Sequence, residues 1–149
     1  SNVTVYDLWA ANKVTHEFDE DIAPVSLCYA PDAKSLVISG NNKELFFFDT
    51  RQYELQYKME IPFVAENIAI SNNNFFIAAS NGTTLNIWNL QSKELRKSIS
   101  TDEKINCFTF SSDNNLLAIL TADGKLTTYD TRTFFILQSY DCVCCCRIK

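Results

Sequence analysis

Apolar and polar residues alternate in short runs along this chain, and the runs return at a fixed step. Val3-Thr4-Val5-Tyr6-Asp7, Leu45-Phe46-Phe47-Phe48-Asp49, Leu85-Asn86-Ile87-Trp88-Asn89 and Leu126-Thr127-Thr128-Tyr129-Asp130 each end in an aromatic residue followed by Asp or Asn. Those last residues stand 42, 40 and 41 positions apart. A second series begins at Leu27, Ile68 and Phe108, steps of 41 and 40, and each member closes on turn-forming residues such as Pro31-Asp32 and Ser112-Asp113. No apolar stripe of 3.6-residue period persists, so helices are not expected. Runs such as Leu36-Val37-Ile38 and Leu116-Leu117-Ala118-Ile119-Leu120 are short and β-rich, as in strands covered on both faces.

Each unit of this repeat reads as four short strands. In the first complete unit, strand a is expected at about 25–30, strand b at 35–39, strand c at 44–49 and strand d at 53–59. The next two units occupy about 66–99 and 106–140, and residues 3–8 and 13–18 supply only strands c and d of an earlier unit. The resulting division is a half unit at 1–20, units at about 21–60, 61–100 and 101–140, and a tail at 141–149 outside the pattern. Gly40, Gly82 and Gly124 all fall just before strand c, and Asn81-Gly82 and Asp123-Gly124 predict type I′ hairpins, which need two positive φ angles.

On this period, strand order and set of aromatic-Asp strand ends, the chain resembles the WD-repeat (WD40) β-propellers over about residues 3–140. The resemblance implies an all-β fold of four-stranded antiparallel blades, about three and a half of them. Only Trp88-Asn89 keeps the family's Trp, and the Gly-His pair that precedes strand a in the family is missing from every unit. The single His, His16, follows Asp7 by nine residues, earlier than the family's His would. A His-centred hydrogen-bond network is therefore not expected, and aromatic packing is expected to stabilise the blades. Propeller rings contain about four to eight blades. Two closures are open: further blades in a longer polypeptide, or two copies sharing one ring of seven or eight.

Composition narrows the function classes. Of 149 residues, 46% are apolar and 21% charged, which excludes a disordered or collagen-like chain. No run approaches the roughly 20 apolar residues of a membrane span, and there is no basic-then-apolar leader. Thirteen Lys and Arg against eighteen Asp and Glu leave a net charge of −5, which argues against nucleic acid or an anionic membrane as partner. Catalysis finds little support, because His16 stands outside any nucleophile motif and no glycine-rich phosphate loop is present. His16 reads as a surface strand residue, and no cofactor or metal is implied. Cys28 and Cys107, on strand a segments, read as buried free thiols. Cys142, Cys144, Cys145 and Cys146 cluster in the tail; the Cys142–Cys145 gap suits a metal knuckle, but no second ligand pair follows. Such a thiol cluster argues for a reducing, intracellular compartment, with an exported bacterial propeller as the alternative.

In propellers of the resembled kind, the d–a and b–c loops gather on one rim and the a–b and c–d turns on the other. The d–a loops carry Asp19, Glu20, Asp21, Glu60, Glu66, Asp102 and Glu103, with Lys104 as their one nearby base. These residues are the expected partner-binding site, with Phe63 beside Pro62 as its aromatic anchor. The opposite rim, with Lys13, Lys34, Arg51, Lys93 and Arg132, is expected to be relatively basic. The expected function is a non-catalytic interaction scaffold that binds a protein or peptide, basic for preference, within an assembly. The alternatives are a ligand-binding or enzyme-accessory propeller whose site lies in other blades, and a nucleic-acid binder using the basic turns.

Overall fold

The computed structural model describes residues 3–10, 13–18 and 21–141, with the backbone alone at 13–15. Among the described residues fourteen strands follow in chain order: β1 (Thr4–Asp7), β2 (Lys13–Glu17), β3 (Pro24–Tyr29), β4 (Ser35–Gly40), β5 (Glu44–Asp49), β6 (Leu55–Glu60), β7 (Asn67–Ile70), β8 (Phe76–Asn81), β9 (Thr84–Asn89), β10 (Leu95–Ser100), β11 (Ile105–Phe110), β12 (Leu116–Thr121), β13 (Lys125–Asp130) and β14 (Ile136–Asp141). Pairing is antiparallel throughout, between chain neighbours, giving one two-stranded sheet (β1–β2) and three four-stranded sheets (β3–β6, β7–β10, β11–β14). There is no helix among the described residues. The first strands of successive four-stranded sheets lie together, β3 beside β7 and β7 beside β11. The all-β expectation of stacked four-stranded blades is met.

The repeated aromatic-Asp/Asn ending has a local cause. Asp7, Asp49, Asn89 and Asp130 each close a strand and turn the side-chain oxygen onto the following backbone. Asp49 Oδ1 accepts from Arg51 N (3.0 Å) and Gln52 N (2.9 Å), and Asn89 Oδ1 from Gln91 N and Ser92 N (2.9 Å each). Asp7 and Asp130 do the same toward Trp9 and Arg132. Each satisfies donors that the tight turn leaves unpaired. These bonds hold the Asp49 carboxyl below the usual carboxylate range, the Gln52 amide having the largest effect, and the Arg132 side chain lowers Asp130. The turn then ends on a left-handed residue at the same place in each of the three complete blades: Tyr53 (φ 55°), Lys93 (63°) and Phe134 (56°). Strand d of the first complete blade consequently starts at Leu55, two residues later than the apolar pattern suggests.

In the β3–β6 and β7–β10 sheets, contiguous apolar runs occur because the middle strands are covered on both faces. Val37, Leu45, Phe47 and Met59 of the β3–β6 sheet pack against Ile77, Ala79 and Trp88 of the next. Leu36, Ile38, Phe46 and Phe48, alternating with them, pack the other way against Phe18, Ile22 and the flanking Val3 and Val5. The step recurs where Ala78, Leu85, Ile87 and Ile99 meet Ile105, Leu117, Ile119 and Tyr129. A one-residue shift in register moves every side chain to the wrong cluster.

Between the first two complete blades, a serine network occupies the interior. Ser39 Oγ, wholly buried, lies 2.7 Å from Ser26 Oγ and donates to Ala65 O at 2.8 Å, while Ser26 N donates to Ser39 Oγ at 3.1 Å. Strands β3 and β4 are thereby tied to the loop that enters the following blade. Ser80 holds the equivalent place one blade later and is as deeply buried, but its hydroxyl has no partner among the described residues. Ser39→Ala is expected to lower unfolding stability by about 1 kcal/mol. Ser80→Ala is expected to leave it unchanged or raise it slightly, because it removes a desolvated, unsatisfied hydroxyl. Urea midpoints at constant slope check both, and equal losses at the two sites refute the assignment.

Several expectations are corrected. At the β8–β9 hairpin only Gly82, the first central residue, has positive φ (57°); that is the type II′ pattern, so the turn is not type I′. Gly124 (φ 86°) instead follows a turn in which its own N donates to Thr121 O, the geometry of a longer loop with glycine at its left-handed corner. Cys28 is half-buried, and burial pushes its thiol up to about 12, but Cys107 is exposed, since it lies on the uncovered face of the last sheet. His16 is half-buried: its ring stacks on Tyr53 at 5.1 Å and meets the edge of Phe18 at 4.6 Å. The cysteines at 142, 144, 145 and 146 lie outside the described residues.

Candidate functional site

The loop rim is assembled by backbone bonds between each d–a loop and the neighbouring b–c hairpin. Asn41 N donates to Ala23 O, Ile61 N to Lys43 O, Thr101 N to Thr83 O and Ala122 N to Lys104 O. Ile105 N reaches back to Gly82 O at 2.9 Å and joins the rims of the last two blades. Buried Ile22, Ile61, Ala65 and Ile105 pin the loops inward, which leaves the polar residues between them to face solvent.

Asp21, Glu60, Glu66, Asp102 and Glu103 are all exposed on this rim; Asp19 and Glu20 lie outside the described residues. Phe63 is placed differently from an exposed anchor. It is half-buried, packs against the core between the β3–β6 and β7–β10 sheets, and lies 6.5 Å from the Trp88 ring. The hairpins add charges that the loop reading omits, namely Glu44 and Asp123 together with Lys43 and Lys125. Over the described rim segments (21–23, 41–44, 60–66, 82–83, 101–104 and 122–125), seven carboxylates stand against three ammonium groups.

The opposite rim is the less acidic of the two, but it carries more acids than bases. Its turns in the three complete blades carry Asp32, Asp49, Glu54, Glu94, Asp113 and Asp130 against Lys34, Arg51, Lys93 and Arg132. Several of these acids are needed as turn caps, which is why the rim keeps them. Two of the cations are also engaged. Arg132 pairs with Asp130 at 3.2 Å. Lys93 lies over the rings of Phe47 (5.1 Å) and Tyr57 (5.2 Å), with its ammonium donating to Leu90 O, and burial lowers its pKa. The Lys13 side chain lies outside the described residues.

The rim carboxylates converge where the last two blades meet. A groove of about 250 Å³ opens there, with Asp102 and Glu103 at one side and Asp123 and Lys125 at the other. Its floor is built from hydroxyl groups and one ring, including Thr121, Thr127, Ser139 and Tyr129. Thr121 Oγ1 donates to Asp123 Oδ1 at 2.6 Å, and this bond holds the Asp123 carboxyl below its usual range. Asp102 and Glu103 were legible in the sequence as rim acids. Asp123 and Lys125 were not, because they belong to the hairpin; the Asp123-Gly124 turn signal marked the hairpin without marking its charges. Among the described residues no group of three His, Cys, Asp or Glu side chains is placed to hold a metal ion.

No family model matches this sequence, and no curated protein matches it. Solved structures do. A structure of U3-55K superposes with TM-score 0.71 at 11% identity, covering 83% of this chain and 40% of that one. The WD40 repeats of RRP9 match with TM-score 0.70 at 12% identity, covering 82% and 39%. Hydrazine synthase of Kuenenia stuttgartiensis matches with TM-score 0.70 at 18% identity, covering 82% and 37%. The chain thus spans about two fifths of each of these chains. At such identities the likeness concerns the fold, and the fold of this chain is a run of WD40-like β-propeller blades.

Proposed function

We propose that the chain is a non-catalytic protein-interaction module whose acidic rim receives a basic, extended segment of a partner protein. The observation that carries this reading is the convergence of Asp102, Glu103 and Asp123 on one hydroxyl-lined groove between blades. Carboxylates at a groove mouth attract Lys and Arg side chains over long range, and hydroxyl groups offer hydrogen bonds to a peptide backbone laid along the floor. Asp21, Glu60 and Glu66 extend the same sign of charge along the rim toward the earlier blades. The blades serve as a stiff frame that holds the loops in fixed relation.

Binding of an oligolysine peptide tests this reading. Replacing Asp21, Asp102 and Glu103 together by Lys is expected to weaken binding at least about tenfold at low ionic strength. The difference should shrink as salt rises, because exposed charges are screened within about 10 Å at 0.1 M salt. Equal affinities of the variant and the parent at low and high salt would sink the proposal.

A further inference from the structure

The rim opposite the carboxylates carries a knob and a slot that suit one another, and neither takes part in the acidic-rim reading. We infer that Trp9 of one copy of this chain enters a slot between the first two complete blades of a second copy. The slot follows from the repeat. The left-handed corner of each c–d turn sets its side chain against the preceding blade, and at two of three junctions that side chain is aromatic. Tyr53 lies on His16 and Phe18, and Phe134, 2% exposed, meets Phe76 at 5.3 Å. The middle corner holds Lys93, whose ammonium lies over Phe47 and Tyr57. Its narrow chain fills less of the junction than a ring would. A groove of about 240 Å³ stays open there, with Val37, Ile70 and Leu90 in its walls. An apolar cavity of about 150 Å³ already accommodates benzene, so the space suits an aromatic side chain.

The polar lining of the groove favours a hydrogen-bond donor. Asn74 Nδ2 donates to Asp32 Oδ2 at 3.0 Å, and since an ionised carboxylate only accepts, this fixes which way the amide faces. Asn74 Oδ1 is then left buried without a hydrogen-bond partner among the described residues. The equivalent oxygen one blade later, Asn114 Oδ1, accepts from Asn73 N at 2.8 Å. Asp32 and Asn74 both line the groove. A buried acceptor without a donor is costly, and a ring that brings an N–H with it would supply one. Indole is that group, a donor with no acceptor.

The chain itself carries such a group on the same rim. Trp9 is 99% exposed in the β1–β2 turn. Its backbone N donates to Asp7 Oδ1 as Arg51 N, Gln91 N and Arg132 N donate to Asp49, Asn89 and Asp130, so the four residues hold one place in the repeat. Arg51, Gln91 and Arg132 are exposed as well, which makes exposure a property of the turn position itself. Polar side chains suit that position; tryptophan is usually well covered, and it is among the commonest interface anchors. Trp9, Lys93, Asp32 and Asn74 all belong to c–d or a–b turns, so knob and slot share one rim. Two copies facing each other rim to rim exchange them reciprocally, a closed two-fold arrangement that leaves both acidic rims outward. Two tryptophans cover about 150–250 Å² each, little beside the roughly 1,200–2,000 Å² of a stable complex. The association is therefore expected to depend on concentration, at micromolar levels or above.

Sedimentation equilibrium of the full 149-residue chain, with tryptophan emission followed over the same concentrations, tests the inference. A monomer–dimer equilibrium is expected, with emission moving to the blue as Trp9 leaves water; Trp88, 5% exposed, contributes a constant signal. Two substitutions copy other blades. Trp9→Gln reproduces Gln91, and Lys93→Tyr reproduces Tyr53 and fills the slot from within. Both are expected to weaken dimerisation at least about tenfold, with the fold checked by circular dichroism. Excess N-acetyltryptophanamide, which offers the same indole, is expected to dissociate the parent dimer and so tests the slot without a substitution. The Asp102→Lys/Glu103→Lys changes are expected to leave the dimer in place, so a failure of the rim proposal leaves this test readable. A parent chain that stays monomeric up to about 1 mM overturns the inference. So does a dimer that survives Trp9→Gln, Lys93→Tyr or the excess indole. A monomeric parent that binds N-acetyltryptophanamide, with binding lost in Lys93→Tyr, overturns it in favour of a tryptophan from a different protein.

Discussion

Trp88→Ala is expected to lower unfolding stability by about 3–5 kcal/mol, the range for deleting a large buried aromatic side chain. Trp88 is 5% exposed and sits where β9 meets the β3–β6 sheet, among Val37, Phe47 and Ile77. The loss is large because the cavity lies between two blades, each rigid by virtue of its own strand ladder, so the walls cannot collapse into it. Against a typical domain stability of about 5–15 kcal/mol, such a loss brings the chain near its unfolding threshold. Phe75→Ala is the control. Phe75 is 62% exposed, and its truncation is expected to stay within about 0.5 kcal/mol. Urea titrations of both variants check the contrast.

The same substitution reaches the rim. Phe63 leans on Trp88, so its removal takes the inward support from the loop between Ile61 and Glu66. Hydrogen exchange of the amides in 63–66 is expected to speed up more than that of β12, which lies a blade away. Uniform acceleration across both regions would show that Trp88 supports the whole fold without anchoring this loop in particular.

What was legible in the sequence follows the range of the physics involved. The Asp49, Asn89 and Asp130 turns were readable because an Asx cap needs only the next few residues. The inward turn of Phe63 had a readable signal too: Ile61, Phe63 and Ala65 stand two apart, as an inward-facing set does, between Glu60 and Glu66. The Pro62-Phe63 pairing drew attention away from it. Backbone conformation was less accessible. Asn74 and Asn114 hold left-handed corners of two a–b turns, but Ala33 holds the third at φ 60°, a position that favours Asn or Gly by about 1 kcal/mol. Lys43 (φ 64°) likewise takes the corner that Gly124 occupies two blades later. Burial of Cys107 was beyond local reading, because it depends on what covers the last sheet. The same holds for the charge of each rim, where hairpin and capping residues from separate segments meet only after folding.

Gly40→Ala is expected to destabilise by about 1–3 kcal/mol, in the manner of an overpacked core. Gly40 ends β4 with no positive φ, so its lack of a side chain serves space. A Cβ there would stand 2.7 Å from Ile22 O, 2.8 Å from Asn42 Oδ1 and 3.0 Å from the Phe46 ring. Asn42 can swing aside, but Ile22 O is backbone, in the loop that carries Asp21 onto the rim and donates no slack to β3. Gly82 presents the opposite case: nothing lies within 4 Å of its would-be Cβ, yet its φ is +57°. Gly82→Ala is expected to cost about 1 kcal/mol through left-handed strain alone. Asn separates the two mechanisms, since it tolerates the left-handed region but is larger than Ala. Gly82→Asn should recover most of the loss, whereas Gly40→Asn should be worse than Gly40→Ala. Denaturation midpoints of the four variants decide the matter, and a tolerated Gly40→Asn would mean that the loop at Ile22 yields, leaving Asp21 free to shift with it.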